Sequence, residues 1–88
     1  IYEYGAGTYP DKGQANPARA LAPETEIVAL TDYRLRYATY RADPDCQRLH
    51  QVLPMISVWD DHEIANDSWK DGAQNHQSAT EGEWAVRK

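Results

Sequence analysis

Residues 55–63 read Met-Ile-Ser-Val-Trp-Asp-Asp-His-Glu, and this stretch decides the predicted fold. Its first half, residues 55–59, is short and mostly apolar and lies between Pro54 and Asp60, which predicts a buried β-strand. A buried strand needs neighbouring strands on both sides, because its backbone donors and acceptors must be paired. The sequence contains no second convincing strand. We therefore expect the chain to be an internal part of a larger α/β domain.

Two helices, over 31–41 and 44–52, are predicted to form a hairpin before this strand. Thr31 is the expected N-cap of the first helix, and Asp43 followed by Pro44 is typical of the start of the second. Apolar and aromatic residues of the first helix recur at spacings of 3, 4 and 3, so they share one face: Leu30, Tyr33, Tyr37 and Tyr40. We expect this face to pack in a core or against a partner, with the helix's arginines lying off it.

The remaining segments have weaker signals. Residues 5–26 are rich in glycine, proline and polar residues, which indicates a long surface loop or a partly disordered segment. Thr80, followed by Glu81 and Glu83, predicts the start of a last helix with acidic residues in its first turn. His50 and His76 are expected at the surface.

Composition excludes several classes of function. The 88 residues allow one small domain at most, and 9 Lys plus Arg against 14 Asp plus Glu give a net charge of −5. This balance argues against a nucleic-acid-binding surface, which would be basic. No apolar run approaches the roughly 18 residues of a membrane span, so none is predicted. The single cysteine cannot form an internal disulfide.

An acidic cluster follows the predicted strand and carries the candidate chemistry. Between positions 60 and 71 lie five carboxylates: Asp60, Asp61, Glu63, Asp67 and Asp71. Carboxylate oxygens suit hard cations such as calcium, magnesium or manganese, and an imidazole adds affinity for iron or zinc.

Backbone geometry limits which of these side chains can act together. In an extended chain Asp60 and His62 point to one side, and Asp61 and Glu63 to the other. We therefore expect Asp61 to bind a metal directly and His62 to face the substrate. Asp60 and Glu63 are expected to orient these two groups without touching the metal themselves.

The cluster also has other interpretations. A zincin motif would need a histidine at position 66, which is Asn66, and the acidic spacing does not match an EF-hand. A solvated turn is one alternative. Another is a non-enzymatic acidic segment that binds calcium weakly, or that docks to a protein partner through the aromatic face of the first helix.

The stretch Trp59-Asp60-Asp61-His62-Glu63 with a nearby asparagine resembles the signature of the alkaline phosphatase D family of metallophosphoesterases. The resemblance extends to residues 1–5, where Ile-Tyr-Glu-Tyr-Gly is similar to the residues after a metal-binding turn of that family. It also includes the helical hairpin over 31–45 and the loop over 69–73.

The resemblance implies a four-layer α/β/β/α metallophosphoesterase sandwich, of which residues 1–88 would be a partial catalytic domain. This part would hold a long loop, the helical hairpin, one buried strand, a metal-binding loop and the start of a helix. The implied enzyme is extracytoplasmic, either periplasmic or secreted, and hydrolyses phosphomonoesters or phosphodiesters. The 88 residues alone are expected to be inactive.

The resemblance also implies roles for individual residues around a cluster of iron and calcium ions. Tyr2 is expected to be a tyrosinate ligand of iron, with Asp61 and Asn66 as further metal ligands. His62 is expected to contact the phosphate or to protonate the leaving oxygen. The remaining ligands are expected from the rest of the parent domain.

Overall fold

A computed structural model of the chain describes residues 1–8 and 19–87, so the predicted loop over 5–26 lies partly outside the described residues. The described part is built from short helices joined by long irregular segments. The helices are α1 (Leu30–Arg41), α2 (Pro44–Val52), α3 (Ser78–Glu81) and α4 (Trp84–Arg87), and a 3-10 turn spans Asp61–Glu63.

The predicted helical hairpin is confirmed. Asp43 is the N-cap of α2, and its Oδ1 accepts hydrogen bonds from the backbone N–H groups of Asp45 at 2.9 Å and Cys46 at 3.0 Å. Thr31 is not the N-cap of α1, because the helix already begins at Leu30 and its N-cap is residue 29. The carboxylate of Asp32 instead reaches back to accept the N–H of residue 29, which satisfies a donor that the helix leaves open.

The predicted aromatic face of α1 is largely exposed, which corrects the expectation that it packs in a core. Tyr37 is 55% exposed and Leu30 is 64% exposed. The buried residue of α1 is Arg36, which the periodicity placed off the packing face. Arg36 turns inward because the side of α1 that is covered faces backbone carbonyl groups rather than apolar side chains.

The guanidinium of Arg36 is fully buried and donates to four carbonyl oxygens. Its Nη1 lies 2.7 Å from the oxygen of Tyr2 and 2.9 Å from that of Tyr4. Its Nη2 lies 2.7 Å from the oxygen of Pro23 and 3.0 Å from that of Thr25. One side chain therefore ties two irregular segments to α1.

These two segments also bind each other through their backbones. The N–H of Ala6 donates to Glu24 O at 2.7 Å, and the N–H of Ile27 donates to Glu3 O at 2.9 Å. Gly5 permits this close approach, because a Cβ there would lie 2.9 Å from Glu24 O. Glycine is the residue that fits where two backbones come this near.

The prediction of a buried strand over residues 55–59 is wrong for this chain. Within 1–8 and 19–87, the residues of this segment join no β-ladder, and Ile56 and Val58 are 96% and 87% exposed. The physical reason is that a strand without neighbouring strands cannot pair its backbone or bury its apolar side chains.

A small apolar cluster lies in the C-terminal third, formed by Ala65, Ala73 and Trp84 with Ile64 packed against it. The expected single last helix is instead two short ones, α3 and α4, and the first ends at Gly82, whose φ of 83° breaks helical geometry. Over the ranges described, the helices are too short and too polar to cross a bilayer.

Candidate functional site

The acidic segment folds into a 3-10 turn rather than an extended strand end. Asp60 precedes the turn, and its Oδ1 accepts from the N–H of Asp61 at 2.6 Å. Glu63 reaches back, and its Oε2 accepts from the N–H of Asp60 at 2.7 Å. The predicted alternation of side chains is therefore wrong, because a turn does not place successive residues on opposite sides. In this structure Asp60 and Glu63 close the turn that carries Asp61 and His62.

His62 meets the N-terminal segment, which brings together two of the predicted site residues. The rings of His62 and Tyr2 have centroids 4.5 Å apart with an interplanar angle of 49°. The ring of Tyr4 lies 6.0 Å from His62. The imidazole therefore lies close to two aromatic rings from the N-terminal segment.

Glu3 is a residue of this site that the sequence interpretation missed. It is fully buried, and its Oε2 lies 2.9 Å from Nδ1 of His62. Its Oε1 accepts from the N–H of Asn66 at 2.7 Å and from Nδ2 of Asn75 at 2.8 Å. An acidic residue inside the aromatic run of residues 1–4 was the available signal, since such a residue is rarely buried without partners.

Asp61 and Asn66 are held by the loop that follows the turn. Oδ2 of Asp61 accepts from the N–H of Asp67 at 2.5 Å, and Asp67 adopts a positive φ of 50°. The amide Nδ2 of Asn66 donates to Oε1 of Gln74. Any metal bound by Asn66 must therefore be held by the amide oxygen.

The charges around the turn shift two pKa values in opposite directions. Burial alone lowers the pKa of His62, but the hydrogen bond to Glu3 and the negative charges of Glu3, Asp61 and Asp60 outweigh it, so this pKa is raised. The side-chain hydrogen bond that Asp61 shares with Asp60 and the one that it accepts from the Asp67 backbone N–H lower the pKa of Asp61. The site thus favours a protonated imidazole beside an ionised carboxylate.

The donor set of the described residues fits part of a metal centre. An ionised Asp61 beside a second carboxylate, Asp60, is the kind of pair that a hard cation stabilises. Within residues 1–8 and 19–87, however, no three His, Cys, Asp or Glu side chains are grouped so that they could hold a metal ion.

A second buried polar cluster connects the helices to this turn. Arg87 donates from Nε to the hydroxyl of Tyr33 at 3.0 Å, and that hydroxyl donates to the carbonyl oxygen of Ile64. Arg87 also pairs with Glu81 at 2.7 Å. The expectation that His76 is a surface group is wrong, because its side chain is 3% exposed and lies 3.1 Å from Glu81.

Comparison with known proteins assigns the family. The sequence matches the PhoD-like phosphatases over residues 1–88. The chain belongs to the PhoD-like phosphatase family. It is also 40% identical over 68 residues to "Alkaline phosphatase D" of Bacillus subtilis (strain 168), a match that includes 76% of this chain. The chain spans 11% of the length of that relative. No solved structure matches this chain significantly.

Membership of the PhoD-like family confirms the resemblance drawn from the Trp59–Glu63 stretch. It implies a metallophosphoesterase-like α/β fold for the domain to which these residues correspond. The described part of the chain is helical and irregular, so it contributes the helical hairpin and the acidic turn to that fold without a β-ladder of its own.

Proposed function

We propose that this chain supplies part of the active site of a metal-dependent phosphoesterase that hydrolyses phosphomonoesters, phosphodiesters or both. The observation that carries the proposal is the 4.5 Å approach of the Tyr2 and His62 rings, next to Asp61 in the same turn. Two sequence segments that the family resemblance assigns to one site therefore meet in the folded chain.

His62 is the proposed substrate-contacting residue. A protonated imidazole can donate a hydrogen bond to a phosphate oxygen and can give its proton to the leaving oxygen. The raised pKa of His62 favours this protonated form near neutral pH. Phosphoryl transfer depends mainly on positioning and charge stabilisation, so a fixed cation beside the phosphate suits the chemistry.

We propose iron and calcium as the metals, with Tyr2, Asp61 and Asn66 as the ligands that this chain contributes. Support comes from the family resemblance and from the chemistry of the donor atoms. Phenolate and carboxylate oxygens suit iron, whereas carboxylate and amide oxygens suit calcium. When bound, such ions polarise the phosphate and lower the pKa of a bound water. We also infer an extracytoplasmic location from the family resemblance.

Two substitutions in the complete phosphatase domain that carries this chain test the proposal. Asp61→Asn removes a carboxylate charge at nearly constant shape, and His62→Gln removes the proton donor. Each is expected to lower kcat for p-nitrophenyl phosphate or its bis ester by about a hundredfold or more.

Asp45→Asn and His50→Gln are the matched controls, since both residues lie in α2 and not in the turn. They are expected to leave turnover close to that of the unsubstituted protein. Unchanged turnover in both Asp61→Asn and His62→Gln contradicts the site assignment.

A second candidate function is a non-enzymatic segment that binds calcium through its acidic turn or a partner through α1. The exposed Leu30 and Tyr37 on α1 favour it. Calorimetry on the 88 residues separates the two candidates, because tight, stoichiometric calcium binding by this chain alone is expected only for the second.

A further inference from the structure

Glu3 is a fully buried carboxylate that the proposed function leaves without a role. Burying an ionisable group is unfavourable unless hydrogen bonds or charges compensate, and Glu3 has three such partners. Two of these, Asn66 and Asn75, donate N–H groups whose protons are fixed by amide chemistry. The third, Nδ1 of His62, either carries or lacks a proton, depending on the tautomer.

The two oxygens of Glu3 divide these partners. Oε1 takes the N–H of Asn66 and Nδ2 of Asn75, and Oε2 faces Nδ1 of His62 at 2.9 Å. An ionised carboxylate only accepts hydrogen bonds, so Nδ1 must be the nitrogen that carries the proton. In the protonated ring that the proposed function uses, Nε2–H is then the donor left to meet a substrate oxygen.

We propose that Glu3 is a positioning residue for His62. The Glu3 carboxylate fixes a proton on Nδ1 of His62 and turns Nε2 toward the substrate. This inference rests on the proposed role of His62 as the substrate-contacting residue. The ring has two restraints in this arrangement, the hydrogen bond to Glu3 at Nδ1 and the tilted packing on Tyr2. Together they set both the tautomer and the ring plane.

The backbone of Glu3 is held rigidly enough for this task. Arg36 binds the carbonyl oxygens of Tyr2 and Tyr4, the two residues that flank Glu3. The carbonyl of Glu3 itself accepts from Ile27 at 2.9 Å. The carbonyl groups of three consecutive residues are therefore fixed, so the backbone position from which the Glu3 side chain extends is fixed as well.

The substitution Glu3→Gln separates positioning from mere packing, because it keeps the shape and changes the donor pattern. The glutamine oxygen is needed where two N–H donors converge, at Asn66 and Asn75. Its NH2 group must then face Nδ1 of His62 and donate to it. We expect the neutral imidazole to change from the Nδ1–H tautomer to the Nε2–H tautomer while the fold is retained.

Nuclear magnetic resonance of the chain with 15N-labelled histidine measures this directly in metal-free buffer, at a pH where the rings are neutral. Variants of His50 and His76 assign the signals. We expect Nδ1–H for His62 in the unsubstituted chain and in the control Glu24→Gln, whose side chain is exposed, and Nε2–H in Glu3→Gln. An Nε2–H tautomer in the unsubstituted chain, or no change in Glu3→Gln, overturns the inference. The first of these outcomes needs no variant to fold.

Kinetics on the complete domain give the second readout. Glu3→Gln is expected to lower kcat at least about tenfold with KM nearly unchanged, because the glutamine NH2 cannot accept the Nδ1 proton that the ring must keep while Nε2 gives its proton to the leaving oxygen. An unchanged kcat overturns the positioning role. Full turnover in His62→Gln instead contradicts the proposed function, and the tautomer measurement still reports on Glu3 independently.

Discussion

Arg36 Nη1 lies 2.7 Å from the carbonyl oxygen of Tyr2, so a helix residue fixes the backbone of a proposed metal ligand. The bond has a structural consequence that extends past the pair. Because the same guanidinium also binds residues 4, 23 and 25, α1 acts as the support for the whole N-terminal segment of the site. Stability of this part of the chain and geometry of the site are thus linked.

Replacing Arg36 with methionine is expected to lower the free energy of unfolding by about 3 kcal/mol or more, since four carbonyl oxygens lose the buried guanidinium that donates to them. Arg34→Met is the matched control on the same helix, because Arg34 is exposed, and we expect a change within about 0.5 kcal/mol. Denaturant unfolding measures both values. Equal stability of the two variants contradicts the anchoring role of Arg36.

Tyr33→Phe is expected to lower the free energy of unfolding by about 1–2 kcal/mol, because Arg87 loses an acceptor and Ile64 O loses a donor. Tyr37→Phe removes the same hydroxyl from an exposed ring of α1 and is expected to have little effect. Thermal unfolding of both variants tests the prediction, and an equal shift in Tm for the two contradicts it.

The cap of α2 predicts a dependence of stability on pH. Hydrogen bonds from the backbone of Cys46, with the charge of Arg19 and the backbone of Asp45, lower the pKa of Asp43 below its ordinary 3.8. The cap therefore stabilises the fold fully above pH 3.8, and its contribution disappears as the pH falls through the lowered pKa.

Asp43→Asn keeps a side-chain oxygen that can cap but cannot titrate, so its helix content should fall less steeply on acidification. Asp43→Ala should lose helix content at neutral pH already. Circular dichroism across an acid titration checks both expectations. Identical acid profiles for the unsubstituted chain and Asp43→Asn exclude a role for this carboxylate.

Tyr2→Phe is expected to abolish the visible absorption of the iron-loaded complete domain, because the proposed tyrosinate ligand is lost while the ring remains. Tyr40→Phe removes a hydroxyl from α1 and is expected to leave the absorption intact. Chelation of the metal should have the same spectral effect as Tyr2→Phe. A visible band that persists in Tyr2→Phe places the iron ligand elsewhere.

Ile56 and Val58 test whether residues 55–59 become a strand within the complete domain. Their almost full exposure in this chain leaves backbone and apolar groups available for neighbouring strands. We expect their amides to exchange rapidly with solvent in the 88-residue chain and to be strongly protected in the complete domain. Rapid exchange in both contradicts the strand.

Local patterns predicted the features whose causes are local. The start of α2 is correct because Asp43 and Pro44 act on N–H groups two and three residues away. The Trp59–Glu63 stretch identified the family without any structure, because its residue types are adjacent in sequence. The apolar run over 55–59 indicated a strand, but pairing depends on partners that the pattern does not contain.

The tertiary structure alone decided that Arg36 and Glu3 are buried and that Tyr37 is exposed. Arg36 binds main-chain carbonyls, which every residue possesses, so no side-chain pattern marks its partners in advance. Glu3 binds His62 and Asn75 only because the fold brings together segments that are far apart in the sequence. Periodicity shows which residues share a helix face. What packs against that face is decided by contacts with segments that are distant in the sequence.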